Sequence, residues 1–528
     1  MNRYIPYLYQ FGLILGAVSL PFSNFGMSLS GFWLAGAWLF DQLFVDAGTR
    51  RYRWSKALGN PLFWLLSSLF FIHLIGLVYT SDWNYALHDL RIKLPLLLFP
   101  LIFFTARPLE AVAIRRALVV FVVATSAAAL ICLSIPLGWF NYTINNIREI
   151  SIFISHIRFS ILLVFASAIL LLWISEKRRI LPALVMLTIN LSFIWVIESA
   201  TGAVLFIAVL MLYLISEEAS VIPRIWRRAL RIGFPLLILA LGGWIYLTAR
   251  NHLTIPDGYL DQLPTHTALG NPYEHHIGNS VKENTHLVWY HICKSELDSV
   301  WMQRSQRNLH GTDDRGHELY STLLRYMSSK GLTKDAAGML ALTDDDIRNV
   351  ERGVVSVLEF EHKGLQRRFD KILFELSLMQ NGGNPSGNSV TQRFEFWRAA
   401  WHIIGKKPIF GVGTGDVKSA MSDAYVDIDT VLYEPFRLRA HNQYLTFWVA
   451  FGLIGVLVLL ASIFIPLGVP VPERGFLFTA FCLVTALSYL TEDTLETQAG
   501  VTFVAFFSAL FAAQRLAFHA RVRHNPSS

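Results

Sequence analysis

His441-Asn442 stands directly before an apolar run, at the point where a polar segment meets a membrane-like one. A neutral imidazole takes the proton of an attacking hydroxyl near neutral pH, and a neighbouring amide can orient the acceptor or the ring. The same pair suits a helix start, where either side chain can bind free backbone amides. Position alone leaves both readings open. Arg437 and Arg439 lie just ahead, and Arg393 precedes a glycine-rich turn, with Trp397 one turn further along the same amphipathic stretch. Guanidinium forks are the natural partners of a diphosphate leaving group, whose growing negative charge must be neutralised where no metal does so. Singly, each arginine reads as a solvated or headgroup-facing residue; together they form a candidate anion site.

A second group lies far away in the chain. Arg158, in Ser155-His156-Ile-Arg158, stands at the mouth of an apolar span, where a charge is costly unless paired or used. It reads either as a substrate ligand with His156 beside it or as a residue snorkelling to headgroups. Glu492, Asp493 and Glu496 fall in a short loop with no basic residue. They can pair with the arginines or hold a sugar hydroxyl; plain solvent exposure is the commoner role for such acids.

Other motifs carry less. Gly411-Val-Gly-Thr-Gly415-Asp416 resembles a nucleotide fingerprint, but no strand precedes it and no βαβ unit surrounds it, so a turn allowing close backbone approach is the better reading. Thr343-Asp-Asp-Asp346 reads as a capping box opening a long helix through Leu376, and Asp427-Ile-Asp429 as linker, so no metal site is expected. Cys132 and Cys482 lie in apolar spans and Cys293 is alone in the long polar segment, which leaves no disulfide framework.

The elements that must position these groups follow from composition. Hydrophobic residues make up 53% of the chain and charged ones 16%, with a mean hydropathy of +0.43, which excludes an ordinary soluble domain. About twelve apolar spans are expected, near 7–24, 27–46, 61–79, 93–106 (short), 114–138, 158–175, 180–197, 200–216, 232–249, 443–468, 475–490 and 500–516. The expected fold is an all-α polytopic membrane protein. It comprises an N-terminal transmembrane block (1–249, about nine helices), a large, mostly helical loop carrying the catalytic segment (250–442), and a C-terminal block of about three helices with a basic tail (443–528). Within the loop, Leu287–Arg304, Glu318–Ser329 and Thr391–Ile404 show helical apolar spacing.

Basic clusters at Arg50-Arg51-Tyr-Arg53, Lys177-Arg178-Arg179, Arg224 to Arg231, Arg474 and Arg521 to Arg523 alternate with weakly charged loops. That bias places both termini in the cytoplasm and the long loop outside, in the periplasm of a bacterium, with the protein in the inner membrane. The long loop holds nearly equal numbers of acids and bases, so the net charge of +7 is a topology signal and implies no nucleic-acid partner.

In order and spacing, Arg393-Phe-Glu-Phe-Trp397, Pro408-Ile-Phe-Gly411-Val-Gly413-Thr-Gly415, His441-Asn442-Gln-Tyr-Leu445 and Gly452-Leu-Ile-Gly455 resemble the signature of the O-antigen ligase and polymerase superfamily. The acidic Thr491 to Gln498 segment and the long insertion resemble Bacteroidetes-type members. The resemblance implies a GT-C-like, metal-independent, inverting glycosyltransferase that needs no cofactor. Such an enzyme moves a glycan from undecaprenyl diphosphate to a hydroxyl of a lipid A core sugar among membrane lipids. His441 then matches the family's base and Arg393 an arginine holding the diphosphate. Arg158, Arg437 and Arg439 are further diphosphate candidates, and Asn442, Trp397, His156, Glu492 and Asp493 candidates for other substrate contacts. Where the family carries Ser-Arg near the outer end of a middle span, this chain has Ser199-Ala200; Arg158 is the leading replacement. A polymerase joining lipid-linked repeat units and a protein O-oligosaccharyltransferase share the signature. A lipid-linked sugar flippase is the reading from another class; paired repeats and mid-span charges, its expected marks, are not evident.

Overall fold

Apolar runs bounded by capping side chains set the helices. The computed structural model describes residues 4–140, 142, 146–177, 179–219, 222–468 and 475–524, with the side chains of 224 and 514–524 left aside. Arg178 and Arg474, and the side chains of Arg224, Arg521 and Arg523, invoked above for orientation, lie outside the described residues.

In chain order the helices are α1 (Ile5–Phe22), α2 (Asn24–Phe44), α3 (Ala47–Leu58), α4 (Pro61–Gly76), α5 (Trp83–Lys93), α6 (Pro95–Thr105), α7 (Ala111–Ser134), α8 (His156–Ser175), α9 (Ile180–Val196), α10 (Ala200–Ile215) and α11 (Arg224–Leu253). There follow α12 (Lys294–Arg304), α13 (Leu319–Ser329), α14 (Ala336–Leu340), α15 (Asp344–Glu351), α16 (Leu358–Glu361), α17 (Leu365–Gln380), α18 (Thr391–Lys406), α19 (Val417–Asp427), α20 (Gln443–Leu467), α21 (Gly475–Thr491) and α22 (Gln498–His524). An apolar helix occupies each expected span, and α1, α4 with its trailing turn, α7, α8, α11 and α20 are long and apolar enough to cross a membrane. The protein is an all-α multi-pass membrane protein. Helix starts obey local chemistry: Asn60 caps α4 ahead of Pro61, Ser199 caps α10 and Asn442 caps α20.

The chain divides into two compact units, one of residues 1–234, 395–430 and 437–528, the other of residues 235–394 and 431–436. In the first, α8 is central. Its residues Phe159 to Leu171 are buried all round, as expected of a helix apolar on every face. Phe165 packs edge-on against Phe481, Phe503 and Phe507 with ring centroids 4.9–5.7 Å apart. A backbone clasp breaks α20. Gly452 takes φ 64° and ψ −160°, and the chain there exchanges hydrogen bonds with the glycine-rich turn: Val412 N to Val449 O, Gly413 N to Ala450 O and Leu453 N to Pro408 O, each 2.9 Å. A Cβ on Gly452 would lie 2.1 Å from the Ile409 carbonyl atoms, so only glycine fits. The turn reading of Gly411 to Asp416 holds.

The second unit has its own core, with Trp301 and Met327 fully buried among Leu297, Leu323, Met339 and Val350. Here the structure corrects two sequence expectations. Leu287–Arg304 is helical only from Lys294, because His286–Leu287 pairs with Lys282–Glu283 as a short antiparallel ladder. The helix opened at Thr343 stops at Glu351, where Gly353 turns with φ 79°, and helix resumes as α16 and then, after Gly364 at φ 59°, as α17. The capping box itself is present, with Thr343 and Asp346 bonding each other's backbone amides.

Candidate functional site

His441 is held rather than merely placed. Its φ of 46° lies in the left-handed region, uncommon for a side chain with a Cβ, and the Asp493 carboxylate fixes that turn. Asp493 Oδ2 accepts from His441 N at 3.0 Å, while Oδ1 accepts from Asn442 N at 3.1 Å and from Thr446 Oγ1 at 2.6 Å. Burial raises the Asp493 carboxyl above its ordinary range, opposed by the Thr446 hydrogen bond and the charge of His441. Asn442 takes the capping role: its Oδ1 accepts from Leu445 N at 3.1 Å and its Nδ2 donates to Leu490 O at 3.2 Å. The capping half of the open reading falls to Asn442 and not to His441.

Glu492 links that imidazole to the central helix. Its Oε1 accepts from Arg158 Nη2 at 3.0 Å and lies 3.7 Å from His441 Nδ1. Glu492 is 4% exposed, His441 29% and Arg158 23%, so the carboxylate is interior and the two bases reach the surface of the site. His441 Nδ1 and Arg158 Nε are buried without a hydrogen-bond partner, an uncommon state for buried polar atoms. The His441 ring lies against Phe396, centroids 5.6 Å apart at 31°, and Trp397 Nε1 donates to Ala440 O at 3.0 Å. Trp397 therefore shapes the strand of chain entering the site.

Arg439 belongs to a neighbouring ion network. It pairs with Glu496 and its guanidinium sits 5.5 Å from the Tyr85 ring centre. Glu496 Oε2 also meets Lys93 Nζ at 2.9 Å, and Oε1 accepts from Gln443 Nε2 at 3.1 Å. Burial works to raise the Glu496 carboxyl, but Lys93 and Arg439 outweigh it and hold it well below the usual range. Beside this network, His73, Asp89, Thr414 and Thr446 help to line a small cavity. Of three further sequence candidates, Arg437 is partly exposed and acts electrostatically on Tyr425, His156 opens α8 with its carbonyl accepting from Ser160, and Arg393 lies in the other compact unit at the start of α18.

In the Glu492 to Glu496 loop, Glu492 and Asp493 are buried and Glu496 is half-buried, and each has polar partners, so none is a solvent-exposed acid. Sequence reading missed Lys93 and Asp89, which sit four residues apart on α5 with Nζ to Oδ1 at 3.1 Å. The signal was present: a lysine on the doorstep of an apolar run, in register with an acid, at a place where an unpaired charge is costly.

Chemically, the cluster offers an imidazole beside a buried carboxylate that also holds the Arg158 guanidinium. An all-helical multi-pass membrane protein so equipped has the parts of a transferase that moves a proton while steadying an anion. Residues 337–460 match the family model described as O-antigen ligase. That match supports membership of the O-antigen ligase superfamily and, in general terms, a membrane glycosyltransferase of the O-antigen ligase or polymerase type. No curated protein matches the chain.

Proposed function

We propose that the protein transfers a glycan from undecaprenyl diphosphate to a hydroxyl of a lipid A core sugar on the periplasmic side of the inner membrane. The observation that carries this reading is the chain Arg158–Glu492–His441, in which one buried carboxylate serves a cation and an imidazole at once. With Nδ1 turned to Glu492, Nε2 is the nitrogen left to take the proton of the acceptor hydroxyl. The hydroxyl oxygen attacks the anomeric carbon from the face opposite the diphosphate, the bond to the diphosphate oxygen breaks, and the configuration inverts. The proton passes to His441, whose imidazolium Glu492 steadies. Charge released on the polyprenyl diphosphate falls to Arg158, with Arg439 and Arg437 as the further guanidinium groups of the proposal. No metal or cofactor is part of this scheme.

The test is a chromosomal deletion complemented with wild-type, His441→Ala or Arg158→Ala protein, with lipopolysaccharide and lipid-linked polymer analysed together. The proposal expects bare core and accumulated lipid-linked polymer in the deletion and in both variants. Core carrying a single repeat would assign the polymerase reaction instead, and loss of glycan from proteins alone would assign protein glycosylation. Full glycan attachment with both variants would overturn the site.

A further inference from the structure

Lys93 is the most completely buried cation of the first compact unit's polar network, with 0% of its side chain exposed. An ammonium has three N–H donors, and here three acceptors meet them: Asp89 Oδ1 at 3.1 Å, Leu495 O at 2.6 Å and Glu496 Oε2 at 2.9 Å. No donor is left for a substrate. Its partners, however, lead to both halves of the site. Glu496 shares its Oε2 with Arg439, so the lysine and the arginine compete for and jointly fix one carboxylate oxygen. Leu495 lies in the turn that also carries Glu492 and Asp493, and its amide is tied to Gln443 Oε1 at 2.7 Å on the first turn of α20.

We infer that Lys93 is a positioning residue for the proposed transfer, fixing Arg439 through Glu496 and the acidic turn behind His441 through the Leu495 carbonyl. The inference rests on the function proposed above. Its physical basis is the two anchors Lys93 supplies in a closed space, an ion pair to Glu496 and a hydrogen bond to the Leu495 carbonyl. Lys93 and Arg439 face Asp89 and Glu496, two cations against two anions, and Tyr85 covers the guanidinium of Arg439. Removing the ammonium leaves both carboxylates to one guanidinium and frees a backbone carbonyl, so Arg439 must turn inward and the 492–496 turn must loosen. A lysine that only supported the fold would act on the amount of folded protein and not on the geometry of the site.

The experiment uses the full-length protein in lipid nanodiscs with a polyprenyl-diphosphate-linked glycan as donor, comparing wild type, Lys93→Met, and a charge-balanced Asp89→Asn/Lys93→Gln pair that guards against misfolding of the single variant. The expected result is a donor KM raised about tenfold or more in both variants, beyond any loss in kcat, because a misplaced guanidinium weakens the hold on the diphosphate. Hydrogen exchange of backbone amides at 438–445 and 490–498 should also accelerate in both variants. An unchanged KM with kcat falling only in step with the folded fraction, or faster exchange confined to α5, would overturn the inference. A wild-type protein that neither binds nor uses the donor would instead overturn the proposed function, and the exchange measurement still reads whether Lys93 holds the two segments.

Discussion

Asp346 in the second compact unit and Glu492 in the first are both buried carboxylates facing cations, yet they are used in opposite ways. Asp346 is saturated: it accepts from Thr343 N at 2.8 Å, Thr343 Oγ1 at 2.9 Å, Tyr326 Oη at 2.6 Å and Lys330 Nζ at 2.7 Å. Burial alone would raise its carboxyl, but the hydrogen bonds from Lys330, Tyr326 and Thr343 outweigh it and hold it at about 2. Glu492 stands among groups left wanting, with His441 Nδ1 and Arg158 Nε buried and unbonded on either side. A carboxylate whose every neighbour is satisfied stabilises a fold; one surrounded by unsatisfied polar atoms holds groups ready for something else.

The largest effect that tests this contrast is at the imidazole. His441→Ala should lower the rate of glycan transfer by about two to four orders of magnitude, the span a general base contributes, while leaving the thermal unfolding midpoint little changed. The same residue type placed at Thr343, which would remove the capping box in the other unit, should do the reverse, with transfer retained and the midpoint lowered. If both variants changed stability alone, the two carboxylates would not differ in kind.

Next in size is the clasp that breaks α20 below His441. Gly452→Ala puts a Cβ 2.1 Å from the Ile409 carbonyl on a backbone at φ 64°, and a cost of about 3 kcal/mol or more is expected, seen as loss of folded protein in detergent. Gly36→Ala is the control. It lies inside α2 with open space around its Cβ, so it should be neutral or stabilising by about 0.5 kcal/mol.

These outcomes bear on what the sequence made legible. Apolar spans, a cap at His441-Asn442 and the Thr343 box were readable because each acts through neighbours within a turn or two of chain. His441, Arg158 and Glu492 were readable as candidates because a charge or imidazole at the edge of an apolar run is costly. Their meeting was readable only as one alternative, acids pairing with arginines, because Arg158 and Glu492 stand 334 positions apart and tertiary packing brings them together. Lys93 escaped for the same reason, its acid partner Glu496 being 403 positions away. Which of His441 and Asn442 caps α20 was also undecidable from two adjacent letters; the hydrogen bond from Leu445 N to Asn442 Oδ1 decides it.

A smaller effect is expected when the bridge is weakened without being emptied. Glu492→Gln keeps the shape but turns a charged acceptor into a neutral one, loosening Arg158 and withdrawing support from the imidazolium formed during transfer. Losing one charge-assisted hydrogen bond amounts to about 1.5–3 kcal/mol, or roughly a tenfold to hundredfold fall in kcat. Single-turnover kinetics would show it. A fall in stability with kcat per folded molecule unchanged would put Glu492 in the same class as Asp346.

The smallest effect is the converse test on the saturated carboxylate. Asp346→Asn preserves size and the ability to cap while removing the charge, so it isolates what ionisation contributes to the second unit. The folded carboxyl titrates at about 2, below an ordinary aspartate near 4 in the unfolded chain, so folding favours the ionised form. Its contribution is therefore present in full above about pH 5 and disappears as pH falls through the folded value. The expected difference between wild type and variant is on the order of 1–2 kcal/mol at pH 7, shrinking towards zero near pH 2. Hydrogen exchange of the Leu319–Glu351 amides, corrected for intrinsic rates, would follow it. A difference that stayed constant with pH would mean that the geometry of the cap, and not the charge on Asp346, stabilises this region. A change in glycan transfer beyond the loss of folded protein would mean that the saturated carboxylate also serves the chemistry, and the contrast with Glu492 would then be wrong.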